Sequence, residues 1–124
     1  MTVTEGTGAA AVFDRARTLE RLRGDEALLA RIAGLFLRDG PRMLSDIRDA
    51  IDRRDREGLL RRVHALKGAV GNFSAEAAFR AAANVEEAAR NGGPSAAALA
   101  WPDLNERVGR LCRALREVAG ERIP

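Results

Sequence analysis

Leu59-Leu60-Arg61-Arg62-Val63-His64-Ala65-Leu66-Lys67-Gly68-Ala69-Val70-Gly71-Asn72-Phe73 is the stretch on which the fold turns. Leu59, Val63, Leu66, Val70 and Phe73 step by four, three, four and three residues. A helix turns through about 100° per residue, so this spacing keeps them on one apolar stripe that must face a core. The segment is predicted as a helix over about 56–72.

Equivalent stripes lie on both sides. Upstream, Asp14 is placed to cap a short helix reaching about Arg23, and Gly24-Asp25 interrupts it. Leu28, Leu29, Ile32, Leu35 and Phe36 then predict a helix near 26–38. Asp39-Gly40-Pro41 is read as its stop, with Pro41 in the first turn of a new helix over about 41–54 that carries Leu44, Ile47 and Ile51. Downstream, Ser74 is read as the cap of a helix over about 75–91, with Ala75, Phe79, Ala82, Val85 and Ala89 along one side. Gly92-Gly93-Pro94-Ser95 marks a turn. A loose turn from Ser95 to Trp101 is expected before the last helix, whose regular part starts near Pro102 and places Leu104, Val108, Leu111, Leu115 and Val118 inward.

No segment alternates as a strand does. Short connections between amphipathic helices imply antiparallel neighbours. The expected fold is therefore all-α, an up-down antiparallel four-helix bundle with an additional short N-terminal helix or helices. Residues 1–9 are expected to form a disordered tail and residues 10–120 one helical bundle domain.

Composition limits the function. The chain has 124 residues, 46% of them hydrophobic and 31% charged, enough for one core. Its net charge of +3 and pI near 10.3 would suit a polyanion. Yet acids interleave with the arginines, often four residues ahead of them, as in Asp49 to Arg53, Glu57 to Arg61 and Glu86 to Arg90. That order makes a solvated helical surface, and aromatic residues are only 4% of the chain, so nucleic acid is not an expected partner. Cys112 is the only cysteine, which excludes an internal disulfide and fits a reducing compartment. It lies beside Leu111 and Leu115 and reads as core, while Trp101 reads as a plug at the bundle end. No run approaches a membrane span and no secretory leader is visible at the start, so a cytoplasmic monomer is expected, with a length that favours a stand-alone protein.

His64, the only histidine, lies off the stripe. Lys67 and Gly68 stand three and four residues on, Gly71 a turn further, and Leu60 a turn before. One face thus offers an imidazole, an ammonium, two bare positions and an apolar residue. A neutral, exposed imidazole attacks phosphorus, a flexible ammonium neutralises phosphoryl oxygens, and glycines admit a partner's reactive group. Of the 21 lysines and arginines, only Lys67 is lysine. Each item also has a plain reading: a surface histidine, a solvated cation, or glycines of the kind found at Gly34 and Gly109. The coincidence on one face is what favours a site.

The string His64-Ala65-Leu66-Lys67-Gly68 with Gly71-Asn72-Phe73 resembles the H-x-L-K-G signature of bacterial histidine phosphotransfer domains, the Hpt family. The likeness extends through Arg23-Gly24-Asp25-Glu26, Leu28-Leu29, Phe36-Leu37 and Pro41. Val85-Glu86 with Ala89-Arg90 resembles the family's L-E-x-x-A-R segment. About residues 14–118 are covered. Ser74, where glycine is common, Val85 in place of leucine, and Val63 in place of alanine depart from the pattern.

The resemblance implies that His64 is the phosphoacceptor and Lys67 the phosphate-stabilising cation. It also implies that Leu60, Lys67, Gly68 and Gly71 form the docking face for receiver domains of response regulators or hybrid kinases. Magnesium is expected on the receiver and no cofactor on this chain. With no Gly-rich nucleotide loop, neither ATP binding nor autokinase activity is expected. A helical adaptor that binds the same partners without chemistry is the alternative.

Overall fold

A computed structural model of the chain describes residues 12–120, in which every regular element is an α-helix. The tail expected over 1–9 lies outside the described residues. Helix α1 spans Arg15–Arg21, α2 Glu26–Asp52 and α3 Arg56–Gly71. The stretch Glu76–Gly120 is divided at Gly93 into α4 (76–92) and α5 (94–120). Gly93 has φ 75° and ψ −169°, a conformation open in practice only to glycine, and Pro94 follows where a helix tolerates proline best.

Aspartates start the first three helices. Asp14 accepts from the Arg17 amide at 2.9 Å, Asp25 from Leu28 at 3.0 Å and Asp55 from Gly58 at 2.9 Å. Cross-contacts show neighbouring helices running in opposite directions. Arg62 pairs with Asp46 across α3 and α2, and Arg48 stacks over Trp101 across α2 and α5. Along α3 and α4, Lys67 meets Glu86 while Gly71 lies beside Phe79. The result is the up-down four-helix bundle, with short α1 at the end where α3 gives way to α4.

The core is continuous and apolar, with Leu29, Ile47, Leu59, Leu66, Leu104 and Leu115 fully buried. Phe73 closes one end, meeting the rings of Phe13 and Phe36 edge to face at 6.4 and 5.7 Å. Cys112 is buried as expected, and burial pushes its thiol pKa up, the state of an inert core residue. Trp101 packs against the core.

Several expectations are corrected. Asp39-Gly40-Pro41 does not stop a helix; α2 runs through it as one element of 27 residues. Two features let it pass. Gly40 lacks the Cβ that would otherwise press on the following proline ring, and the buried stripe Leu29, Ala33, Phe36, Gly40, Leu44, Ile47 continues unbroken. Ser74 does not cap α4. It holds φ 51° just after α3 and its hydroxyl oxygen accepts from Arg21 Nη2 at 2.5 Å, while the Ala75 carbonyl accepts the first bond of α4 from Phe79. Nor is 95–101 a loose turn, because α5 is helical from Pro94 and Pro102 lies within it. Finally, Leu35 and Phe79 are 48% and 41% exposed rather than core, each on the flank of its stripe.

Gly40 yields a first prediction. A Cβ there would lie 2.9 Å from the Phe36 ring, which is buried and packed edge to face on Phe73. Gly40→Ala is expected to cost about 1–3 kcal/mol of stability. Gly34 faces open space, so Gly34→Ala in the same helix should instead gain roughly 0.5–1 kcal/mol. Urea unfolding of the two variants measures both; equal stability would refute the close packing of Gly40 against Phe36.

Candidate functional site

The stripe that buries Leu59, Val63, Leu66 and Val70 leaves His64 on the outside of α3, with its side chain 75% exposed. Helix α4 supplies what the ring rests on. The Glu86 carboxylate is only 10% exposed, and its Oε2 lies 3.5 Å from His64 Nδ1. Its Oε1 accepts from Lys67 Nζ at 2.7 Å, and Arg90 Nη2 approaches Oε2 at 3.5 Å from the next turn of α4. Thr18 and Glu86 are the buried polar residues of the described chain, and three basic side chains converge on the second.

Lys67 therefore does not stand free beside the histidine. Its ammonium is part-buried, bonded to Glu86 and lying 5.6 Å from the centre of the Phe79 ring. Gly68 opens onto solvent, with nothing within 4 Å of where a Cβ would be. At Gly71 a Cβ would touch the Phe79 ring at 3.7 Å. Leu60 is partly buried and packs against the core. His64, Lys67 and Gly68 thus share one surface, while Leu60 and Gly71 flank it along α3.

Glu86, Arg90 and Phe79 were not among the sequence candidates. Glu86 and Arg90 looked like an ordinary surface pair four residues apart, and Phe79 like core. The available signal was register: Glu86 follows Val85 on the edge of the stripe Ala82, Val85, Ala89, where a long acid is half-turned into the bundle.

The electrostatics are asymmetric. The hydrogen bond from Lys67 holds the Glu86 carboxyl below its ordinary pKa of 4.5, against the opposing effect of burial; the charges of Lys67 and Arg90 and the bond from His64 assist. A carboxyl with a depressed folded pKa contributes stability above its unfolded pKa and loses it as pH falls through the folded value. Glu86→Gln should therefore cost stability near neutrality, and the deficit should shrink in acid. Urea unfolding from about pH 7 to about pH 3 tests this; a deficit independent of pH would show that charge is not what Glu86 contributes.

Chemically, a carboxylate beside Nδ1 favours the tautomer with its proton there, and leaves the lone pair on Nε2. Among the described residues no three His, Cys, Asp or Glu side chains group as metal ligands, and no helix is long and apolar enough to cross a membrane.

No curated protein and no solved structure matches the chain. A family model described as Hpt domain matches residues 31–121, from within α2 through the whole of α3, α4 and α5. That span contains His64, Lys67, Glu86 and Arg90 on their two facing helices. The chain belongs to the Hpt domain family, the histidine phosphotransfer modules of two-component signalling.

Proposed function

We propose that this protein is a phosphorelay intermediate that takes a phosphoryl group from the phospho-aspartate of one receiver domain and passes it to the aspartate of another. The observation that carries the reading is His64 itself: its side chain 75% exposed and its Nδ1 3.5 Å from Glu86, which leaves Nε2 as the ring nitrogen for a partner to use. The Nε2 lone pair forms the N–P bond while the P–O bond to the aspartate breaks, and the carboxylate leaves with the electron pair. Positive charge developing on the ring is stabilised by Glu86 through the Nδ1 proton, and Lys67 neutralises the phosphoryl oxygens. Transfer onward is the reverse, with a second aspartate as nucleophile.

Gly68, Gly71 and Leu60 form the face on which a receiver docks. Magnesium belongs to the receiver, and this chain binds no ATP and does not phosphorylate itself. The partners are receiver domains of response regulators or hybrid kinases, met in the cytoplasm by a monomer that binds neither nucleic acid nor membrane.

Mixing with a phosphorylated receiver tests the reading. Phosphoryl label that is acid-labile and base-stable should appear on the chain as it leaves the receiver. Binding without label would replace this reading by that of a helical adaptor.

A further inference from the structure

Lys67 has two claims on it. Phosphoryl stabilisation requires its ammonium beside His64 Nε2, but in the unphosphorylated protein it is bonded to Glu86 at 2.7 Å. Withdrawing it would strip the main counter-charge from a carboxylate that is 10% exposed, and a buried charge left alone is costly. Arg90 is the remaining cation within reach. Its side chain is 61% exposed and already lies 3.5 Å from Oε2, the oxygen that Lys67 does not use.

We infer that Arg90 is a positioning residue which takes over the Glu86 carboxylate when His64 is phosphorylated, freeing Lys67 to move onto the phosphoryl group. This inference rests on the relay reading above and adds to it a cation exchange between α3 and α4. The exchange conserves charge pairing: before phosphorylation, two cations share one carboxylate; afterwards the carboxylate holds Arg90 and the phosphoryl group holds Lys67. Phe79 lies beneath the ammonium at 5.6 Å and gives it an apolar pivot rather than a second anion to hold it.

The scarcity of lysine makes the exchange measurable. Because Lys67 is the only lysine, lysine-specific ¹⁵N labelling gives a single side-chain ammonium signal. The full chain is phosphorylated with phosphoramidate, whose P–N bond breaks with loss of ammonia as His64 Nε2 bonds phosphorus. In the wild type the Lys67 Nζ signal should shift on phosphorylation. In Arg90→Gln it should stay near its unphosphorylated position, and the equilibrium constant for phosphorylation from a receiver should fall roughly 1.5- to fivefold, as for an exposed charge pair. Arg90→Lys, which keeps the charge but adds a second lysine, should restore most of the phosphorylation equilibrium.

A labelled wild type whose Nζ signal does not move would overturn the exchange and leave the relay intact. So would Arg90→Gln behaving as wild type in both readouts. Absence of label on His64 in every form would overturn the relay and the exchange with it.

Discussion

His64→Gln is expected to abolish phosphoryl transfer while leaving the bundle folded. In the proposed relay the imidazole is the nucleophile, and glutamine has no lone pair of comparable reactivity on nitrogen. The rate of labelling by a phosphorylated receiver should fall by at least about 10³-fold, to the background of the assay. Stability should hardly change, because the side chain is 75% exposed and its polar contact to Glu86 is as long as 3.5 Å. Exposed substitutions of this kind usually stay within about 0.5 kcal/mol. Circular dichroism and urea unfolding supply the control. Undiminished label on the variant would move the acceptor elsewhere and end the case for His64.

The second large effect is expected at Gly68, where stability and function should part. A Cβ there meets nothing within 4 Å, and the position is mid-helix, so Gly68→Ala should stabilise the protein by roughly 0.5–1 kcal/mol. Gly68→Trp should fold as well as the wild type, since its ring projects into solvent. It stands one helical turn from His64, however, on the face proposed for receiver docking. Transfer needs the attacking nitrogen and phosphorus in near contact, and a misplacement of about 1 Å costs on the order of 10²-fold. Transfer to Gly68→Trp should therefore slow by about 10²-fold or more, with phosphoramidate labelling of His64 less affected because that donor is small. Equal slowing with both donors would indicate damage to the histidine rather than a blocked approach. Gly40 is the contrasting case, a glycine that is closely packed and whose replacement should harm the fold alone.

Most of the fold was legible in apolar spacing. The stripe through Leu59, Val63, Leu66, Val70 and Phe73 is buried from end to end, and its exclusion of His64 follows from helical geometry alone. The departures came where local chemistry competes with long-range packing. Pro41 reads as a helix breaker, yet a core stripe on both sides of it and a glycine before it keep α2 whole. Ser74 reads as a cap, but Arg21, distant in sequence, takes its hydroxyl. Phe79 fits the spacing of its stripe and still lies at the surface, because its flank of α4 faces Gly71 and Lys67 instead of the core.

The candidate site divided in the same way. His64, Lys67 and Gly68 were legible because they sit within one turn of a single helix. Glu86 and Arg90 belong to another helix, and pairing them with His64 requires the relative register of α3 and α4. Helical spacing within one segment carries no such information. The consequence for Lys67 is substantive: it is bonded to Glu86 at 2.7 Å, so the proposed service to a phosphoryl group would involve a change of partner.

The most direct test is to phosphorylate the protein from a receiver and locate the phosphoryl group by ³¹P and ¹⁵N NMR. The expected result is a single phosphohistidine, at Nε2 of residue 64, with the proton retained on Nδ1. A phosphoryl group on Nδ1, on another residue, or on none would contradict the placement of a free ring nitrogen facing solvent with its opposite edge held by Glu86.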